Sequence, residues 1–387
     1  MKKKIVHFLT GIRSEYDILA PVISAVNARE ELSAGVIVTG AHLGQIHGNS
    51  VRQIESDGFD IVARIDSLLA SDGLTGRVKG AALQLNGMCD LFAREKPDFL
   101  VVMGDREEAM TGALAGVYHH IPVVHLGGGD HADDGNVDNP IRHAVSKIAN
   151  LHMATTELSG KRLEALGEEK WRINVVGASG LDRLYSTPKL NRRELESMLG
   201  VEWNGAPFVV LLYHPTITDF TLAANHIAVI TKILEEIGIQ VAIMMPNSDP
   251  GNLAIVAELN AFTKRYSRAK LFTYLERLVF VNMLRHANAL IGNSSAGILE
   301  APSLGLPVVN IGKRQRGREH AGNVIFTSYD HAEIQQAITK SVCDEEYRKK
   351  VAEAPNPYGD GTASAKIANI IARTPIDQEL MQKRFIM

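Results

Sequence analysis

Cysteine is scarce: the 387-residue chain holds two, Cys89 and Cys343. They lie far apart and outside any metal-ligand spacing. That argues against a disulfide framework and fits free thiols in a reducing cytoplasm. A strong charge of either sign is also wanting. The formal net charge of −3 gives no sign of a nucleic-acid or membrane-surface partner, so any basic patch must be local. No uninterrupted apolar run is long enough to span a bilayer. Lys2-Lys3-Lys4 precedes an apolar stretch too short for a signal peptide, and Arg13 and Glu15 follow at once. The stretch reads as a first buried strand, and a cytoplasmic location is expected. No Gly-x-Gly-x-x-Gly fingerprint follows that strand, so a nicotinamide dinucleotide is not indicated. Short-period repeats and low-complexity segments are missing too.

What is present is enough length and hydrophobic content, 45%, for two domains. Residues 4–10, 35–39, 59–65, 97–106, 121–126 and 151–155 read as strands. Helical patterns run from 11 toward 26, over 81–94, 108–118 and 141–149, and the Gly-rich stretch 71–80 reads as a loop. Continuous Val/Ile/Leu runs alternating with helices predict a parallel sheet covered on both faces. A more polar stretch with Pro188 places a linker between Leu184 and Glu202. The pattern then restarts with strand 208–214, helix 222–237 and strand 241–246. Residues 282–287 lead into another strand, 306–312 follows, and 363–372 form a last amphipathic helix. Two α/β halves of similar size, each with polar strand tips, imply a cleft between them.

The stretch Ala289-Leu-Ile-Gly-Asn-Ser-Ser-Ala-Gly-Ile-Leu-Glu300 reads as strand, tight turn and helix over 296–304, with Glu300 one turn inside. A helix N-terminus flanked by Ser294 and Ser295 is an anion site, and Glu300 is placed to accept from hydroxyls such as those of a ribose. Ordinary N-capping by Asn and Ser explains the same residues. His214 ends a strand; a histidine there is structural or faces the cleft. Lys313-Arg-Gln-Arg-Gly-Arg318 is a solvated basic loop, or Arg314 pairs with diphosphate oxygens beside Ser294 and Ser295. In the first half, Asp105 and Arg106 sit at a strand tip. Asp130, His131, Asp133, Asp134 and Asp138 crowd the next loop, and Arg142 and His143 follow. Clustered carboxylates suit proton abstraction from a weak carbon acid. Helix capping and a divalent-metal site compete for the same residues, though no spacing favours metal. Arg13 reaches the same diphosphate or pairs with Glu15.

Gly11-Ile-Arg-Ser-Glu-Tyr-Asp-Ile-Leu, Gly40-Ala-His-Leu with His47-Gly-Asn, Met103-Gly-Asp-Arg, Asp138-Asn-Pro-Ile-Arg-His-Ala, His214-Pro, Ile291-Gly-Asn-Ser-Ser-Ala-Gly, Asn310-Ile-Gly-Lys-Arg-Gln-Arg-Gly-Arg-Glu and Tyr358-Gly-Asp-Gly-Thr follow in order. Together they resemble the hydrolysing UDP-N-acetylglucosamine 2-epimerases of sialic-acid and legionaminic-acid biosynthesis. The resemblance implies a GT-B-like fold of two Rossmann-like, doubly wound α/β domains. Residues 1–185, joined by a C-terminal helix over 365–387, would form the first and 200–364 the UDP-binding second. It implies a UDP-sugar substrate, no metal, no cofactor and a homodimer or homotetramer. Ser294, Ser295, Arg314 and His214 would hold the diphosphate and Glu300 the ribose. Asp105 would act at the C2 proton, with Arg13 and Arg106 on diphosphate or sugar. His42, Asp138, Arg142 and His143 would line the sugar side; Asn247 joins the binding set, and Asp130, Asp138, Arg142 and His214 the catalytic one.

The family's chemistry is loss of UDP from C1 with removal of the C2 proton, then hydration of the 2-acetamidoglycal to a free manno-configured sugar. One departure stands out. The sialic-acid enzymes tend to carry Glu in a His-x-Glu-Gly-Gly-Glu loop, and this chain has Gly127 in His125-Leu-Gly-Gly-Gly-Asp130. Either Asp130 or a neighbouring Asp supplies the second acid–base group, or the pocket suits a sugar with an extra N-acetyl group at C4. UDP-2,4-diacetamido-2,4,6-trideoxy-glucose is then the alternative to UDP-N-acetylglucosamine. A GT-B glycosyltransferase, a non-hydrolysing epimerase and a catalytically dead sugar-nucleotide sensor are the competing readings.

Overall fold

A computed structural model describes residues 3–44, 50–69, 74–131, 137–216, 220–246 and 251–386. The chain divides into two compact units, one of residues 1–131, 136–185 and 358–387, the other mainly residues 186–357.

The first unit alternates strand and helix: β1 (Lys4–Thr10), α1 (Arg13–Asn27), β2 (Leu32–Thr39), α2 (Val51–Ser56), β3 (Ile61–Ile65), α3 (Leu74–Arg94), β4 (Phe99–Met103), α4 (Glu107–Tyr118) and β5 (Val123–Leu126). It continues with α5 (Asp138–Ile148), β6 (Leu151–Ala154), α6 (Glu157–Ala165), β7 (Ile173–Val175) and α7 (Gly180–Ser186). The strands form one parallel sheet in the order β3-β2-β1-β4-β5-β6-β7. Strand side chains alternate between faces, so a sheet covered on both sides is apolar at most positions. β4 shows this: Phe99 and Val101 enter a core with Tyr16 and Leu19 of α1, while Leu100 and Val102 enter another with Phe92 of α3 and Ala113 of α4. The order reverses between β1 and β4, the place where open α/β sheets bind ligands.

The second unit repeats the plan: α8 (Arg192–Leu199), β8 (Phe208–Leu212), α9 (Ala223–Ile237), β9 (Gln240–Met244), α10 (Asn252–Arg265), β10 (Ala269–Phe272) and α11 (Arg277–His286). Then come β11 (Ala289–Gly292), α12 (Ala296–Leu299), β12 (Val308–Ile311), β13 (Val324–Thr327), α13 (His331–Cys343) and α14 (Glu345–Glu353). Its parallel sheet runs β10-β9-β8-β11-β12-β13, reversing between β8 and β11. The chain then returns to the first unit as α15 (Ala363–Arg373) and α16 (Gln378–Met381). There Ile367 and Ile371 of α15 join the α1 core, and Lys4 Nζ donates to the carbonyls of Ala372 (2.6 Å) and Thr374 (2.8 Å) at the end of α15.

Several elements differ from expectation. Residues 74–80, read as loop, are the first two turns of α3. Gly80 is there because a Cβ would come 2.4 Å from the Ser67 carbonyl oxygen. The polar stretch 186–199 contains α8, opened by a capping box between Asn191 and Glu194. The helix expected over 296–304 is only the single turn of α12, continued as a 3-10 turn over Ala301–Leu304 with Pro302 inside it. The last helix read as 365–387 is α15 and the short α16, with residues 382–386 outside regular structure.

Candidate active site

In the first unit the candidate residues follow the carboxyl ends of β1, β2, β4 and β5. β4 ends at Met103, and Gly104, with φ of +73°, turns the backbone to present Asp105. Asp105 forms an ion pair with Arg142, one turn inside α5. Arg142 is only 5% exposed and also donates to the Asp130 carbonyl (2.9 Å) and to Asn139 Oδ1 (3.0 Å). The Asp130 carboxylate accepts from Thr155 Oγ1 (2.5 Å) and Ser159 Oγ (2.7 Å), which fix it to the end of β6 and the start of α6. Three predicted residues thus meet: Asp105 after β4, with Asp130 and Arg142, which both follow β5. Asp138 opens α5 at its N-terminus, where a carboxylate meets the positive dipole end. His143 follows Arg142; burial first, then Arg142 and His131, hold its pKa below the ordinary value. Its buried Nδ1 makes no hydrogen bond among the described residues.

Two predicted contacts take another role. Arg106 was expected on diphosphate or sugar, but its guanidinium lies among carboxylates: Glu108 at 3.1 Å, Glu107 at 3.6 Å and Glu15 at 3.9 Å. Burial works against its charge, yet these three neighbours raise its pKa and keep it cationic. Glu15 accepts from the Gly11 amide (3.0 Å); burial and Glu108 push its pKa up to about 7. The cluster ties the loops after β1 and β4 together. His42 was expected against the sugar, but it is 0% exposed. Its Nε2 lies 2.9 Å from Thr10 Oγ1 and its Nδ1 2.7 Å from Ser50 Oγ, so it links β1 to the start of α2. Burial lowers its pKa to about 4. Arg13 is exposed at the first position of α1. Asp133 and Asp134 lie outside the described residues.

In the second unit the group forms at the reversal between β8 and β11. Gly292 closes β11 with φ of +137°, and a Cβ there would lie 2.0 Å from the Leu212 carbonyl oxygen at the end of β8. Asn293 then holds the neighbouring loop by two bonds of 2.8 Å, from the His214 amide and to the His214 carbonyl. The Asn293 carbonyl accepts from Arg314 (3.3 Å) and Gln315 (3.1 Å). This buried asparagine, read in the sequence only as capping chemistry, assembles His214, Ser294 and Arg314. Burial, then the Arg314 guanidinium, pushes the His214 pKa down to about 3, so it is a neutral hydrogen-bonding ring at pH 7. Ser294 and Ser295 precede the one-turn α12, and Ser294 Oγ accepts from the Ala296 amide (3.3 Å). A single turn has little macrodipole, so an anion there would depend on the turn amides, hydroxyls and Arg314. Glu300 follows α12, with Arg277 at 3.7 Å from its carboxylate. Asn247 lies outside the described residues. Among those residues no three His, Cys, Asp or Glu side chains are grouped to hold a metal ion.

Residues 24–372 match the family described as UDP-N-acetylglucosamine 2-epimerase. The chain is 30% identical over 383 residues to the UDP-N,N'-diacetylbacillosamine 2-epimerase (hydrolyzing) of Legionella pneumophila, covering 99% of each. It is 32% identical over 342 residues to the GDP/UDP-N,N'-diacetylbacillosamine 2-epimerase (hydrolyzing) of Campylobacter jejuni, covering 88% of each. Its fold is like that of the UDP-GlcNAc 2-epimerase from Neisseria meningitidis bound to UDP-GlcNAc. The TM-score is 0.83 at 20% identity, over 96% of this chain and 100% of that one.

Proposed function

Because this chain belongs to the UDP-N-acetylglucosamine 2-epimerase family, we propose that it is a hydrolysing 2-epimerase of UDP-N-acetyl sugars, serving nonulosonic-acid synthesis. The C1–O bond breaks with both electrons leaving on UDP, and positive charge builds on the ring. That charge acidifies the C2 hydrogen, which the Asp105 carboxylate removes, leaving a 2-acetamidoglycal. Arg142 fixes the carboxylate in place; a small misplacement of such a group costs orders of magnitude in rate. Arg314, the turn amides and the hydroxyls of Ser294 and Ser295 take the diphosphate as its charge develops, the kind of stabilisation that usually contributes most. Glu300 accepts from the ribose, and His214 donates as a neutral ring. Water then adds its hydroxyl at C1 and a proton at C2 from the opposite face, releasing a manno-configured sugar. Asp130 is the carboxylate assigned to that second proton transfer.

The substrate favoured is UDP-2,4-diacetamido-2,4,6-trideoxy-glucose, the same sugar as the diacetylbacillosamine in the names of the two relatives. The observation that carries this is Gly127, directly after β5. Its φ is +77°, a conformation suited to glycine, and among the described residues, its chain neighbours aside, a Cβ there would meet no atom within 4 Å. A glycine where the sialic-acid enzymes tend to carry glutamate supports a pocket with room for a C4 acetamido group. The test is turnover of both nucleotide sugars in deuterated water, followed by NMR. Free UDP and a manno-configured sugar with deuterium at C2 are expected, with higher kcat/KM on the diacetylated substrate. Return of intact UDP-sugar would refute hydrolysis, and a clear preference for UDP-N-acetylglucosamine would refute the substrate choice.

A further inference from the structure

Residues 377–386 cross the far end of the helix that carries Arg142. Arg172, fully buried, holds this segment by donating to the carbonyls of Leu380 (2.8 Å), Glu379 (2.8 Å) and Gln382 (2.9 Å). Asn150 Nδ2 also donates to the Leu380 carbonyl (3.0 Å). So anchored, the segment delivers Lys383, whose Nζ donates to the carbonyls of Ser146 (3.1 Å) and Lys147 (2.9 Å) and pairs with Glu168 at 2.6 Å. The last carbonyls of a helix have no partner within it, and an ammonium there also meets the negative dipole end. Glu168 is itself gripped by Lys147 and by His152, each at 2.8 Å.

The turn that Lys383 clamps has a second tie. Ser146 Oγ lies 3.0 Å from His125 Nδ1, and His125 Nε2 lies 2.8 Å from the Gly104 carbonyl. A carbonyl only accepts, so Nε2 carries the hydrogen and Nδ1 takes the Ser146 hydroxyl proton. His125 is fully buried and stays neutral, so the tautomer is set by these two partners. Gly104 immediately precedes Asp105, and Arg142 lies four residues, about one helical turn, before Ser146. One end of α5 therefore reaches Asp105 twice, through the helix to Arg142 and through Ser146 and His125 to Gly104.

We propose that Lys383 is a positioning residue for the acid–base centre: by clamping the last turn of α5 it sets Arg142 and the Gly104–Asp105 turn in their places. This rests on the assignment of Asp105 made above. None of the contacts involves the residues assigned to the diphosphate, so chemistry and nucleotide binding should separate. In Lys383→Met, kcat is expected to fall about tenfold or more, the scale of a sub-ångström misplacement. KM and the Kd for UDP should stay within about twofold, the same geometry loss leaving diphosphate contacts intact. The His125 ring Nε2–H, followed by 15N NMR without substrate, should shift and exchange faster than in wild type. Ser146→Ala, which deletes the middle tie, should lower kcat in the same way and serves if Lys383→Met does not fold. Unchanged kcat in the folded variant, or an equal loss of UDP affinity, would overturn the proposal. If wild type released no sugar from any nucleotide sugar, the functional reading would fall. The His125 signal would still decide the clamp: an unmoved signal overturns it, a moved one supports it.

Discussion

Asp105 and Arg142 show how a single charge pair can be read at the residue scale. Asp105→Asn keeps the shape but removes both the base and the negative charge facing a buried guanidinium. Turnover is expected to vanish while calorimetric affinity for UDP stays near wild type; retained activity would refute the assignment. Losing the charge pair should also lower stability by roughly 1.5–3 kcal/mol, the scale of a hydrogen bond between charged groups. Arg314→Ala removes a charge-assisted contact and should weaken UDP binding by roughly 1.5–3 kcal/mol, about ten- to a hundredfold. Unchanged affinity would mean that Arg314 points elsewhere. Residue types at strand tips were legible as candidates, but their partners were not. Nothing local says that Arg106, beside its own neighbours Glu107 and Glu108, will also meet Glu15, or that His42 will be sealed between Thr10 and Ser50. Those outcomes depend on which loops meet, and the loops belong to different strands.

At the scale of elements, α3 sets two rules against each other. Gly80 lies inside a helix, where alanine is intrinsically better by about 1 kcal/mol. Yet a Cβ there would press on the Ser67 carbonyl oxygen at 2.4 Å, and backbone cannot step aside cheaply. Overpacking of this kind costs roughly 1–3 kcal/mol, so Gly80→Ala is expected to destabilise. A raised melting temperature would show that the helix can slide. The same glycine explains why this stretch looked like a loop: a requirement for close approach resembles a requirement for a turn. Buried strands were easy to see because both faces of each sheet are covered, so their apolar runs are continuous. The three-residue β7 is too short to show a period, whereas the capping box of α8, Asn191 with Glu194 three residues on, is a helix-start signal in the sequence itself. α12 failed for another reason, since helix-forming residues run on to Leu304 while Pro302 limits the α-helical bonding.

For the molecule as a whole, buried titratable groups set the response to acid. His42, His125 and His214 have pKa values of about 4, 3 and 3, against about 6.5 in an unfolded chain. Between those values the unfolded chain binds protons that the native state refuses, so stability falls as pH falls from 6.5 toward 4. Each such histidine contributes a slope of roughly 1.4 kcal/mol per pH unit. Glu15, raised to about 7, has the opposite sign: its contribution is complete below about 4.5 and is lost as pH rises to 7. The histidines outnumber it, so the melting temperature should decline from pH 6.5 to 5, and Glu15→Gln should make that decline steeper. A melting temperature that rises over this interval would contradict the burial of these rings.

The return of the chain to its first unit also bears on how the protein comes into being. When residue 185 leaves the ribosome, the face of α1 that α15 will cover is still bare, and Lys4 lacks the carbonyls it will hold. Residues 186–357 have no such debt to later sequence, because their six strands and the helices over them are complete once residue 357 has emerged. Domains tend to finish in the order in which they are synthesised. Here that order should be inverted, with the unit begun second reaching its native state first and the one begun first waiting, partly open, for residues 358–387.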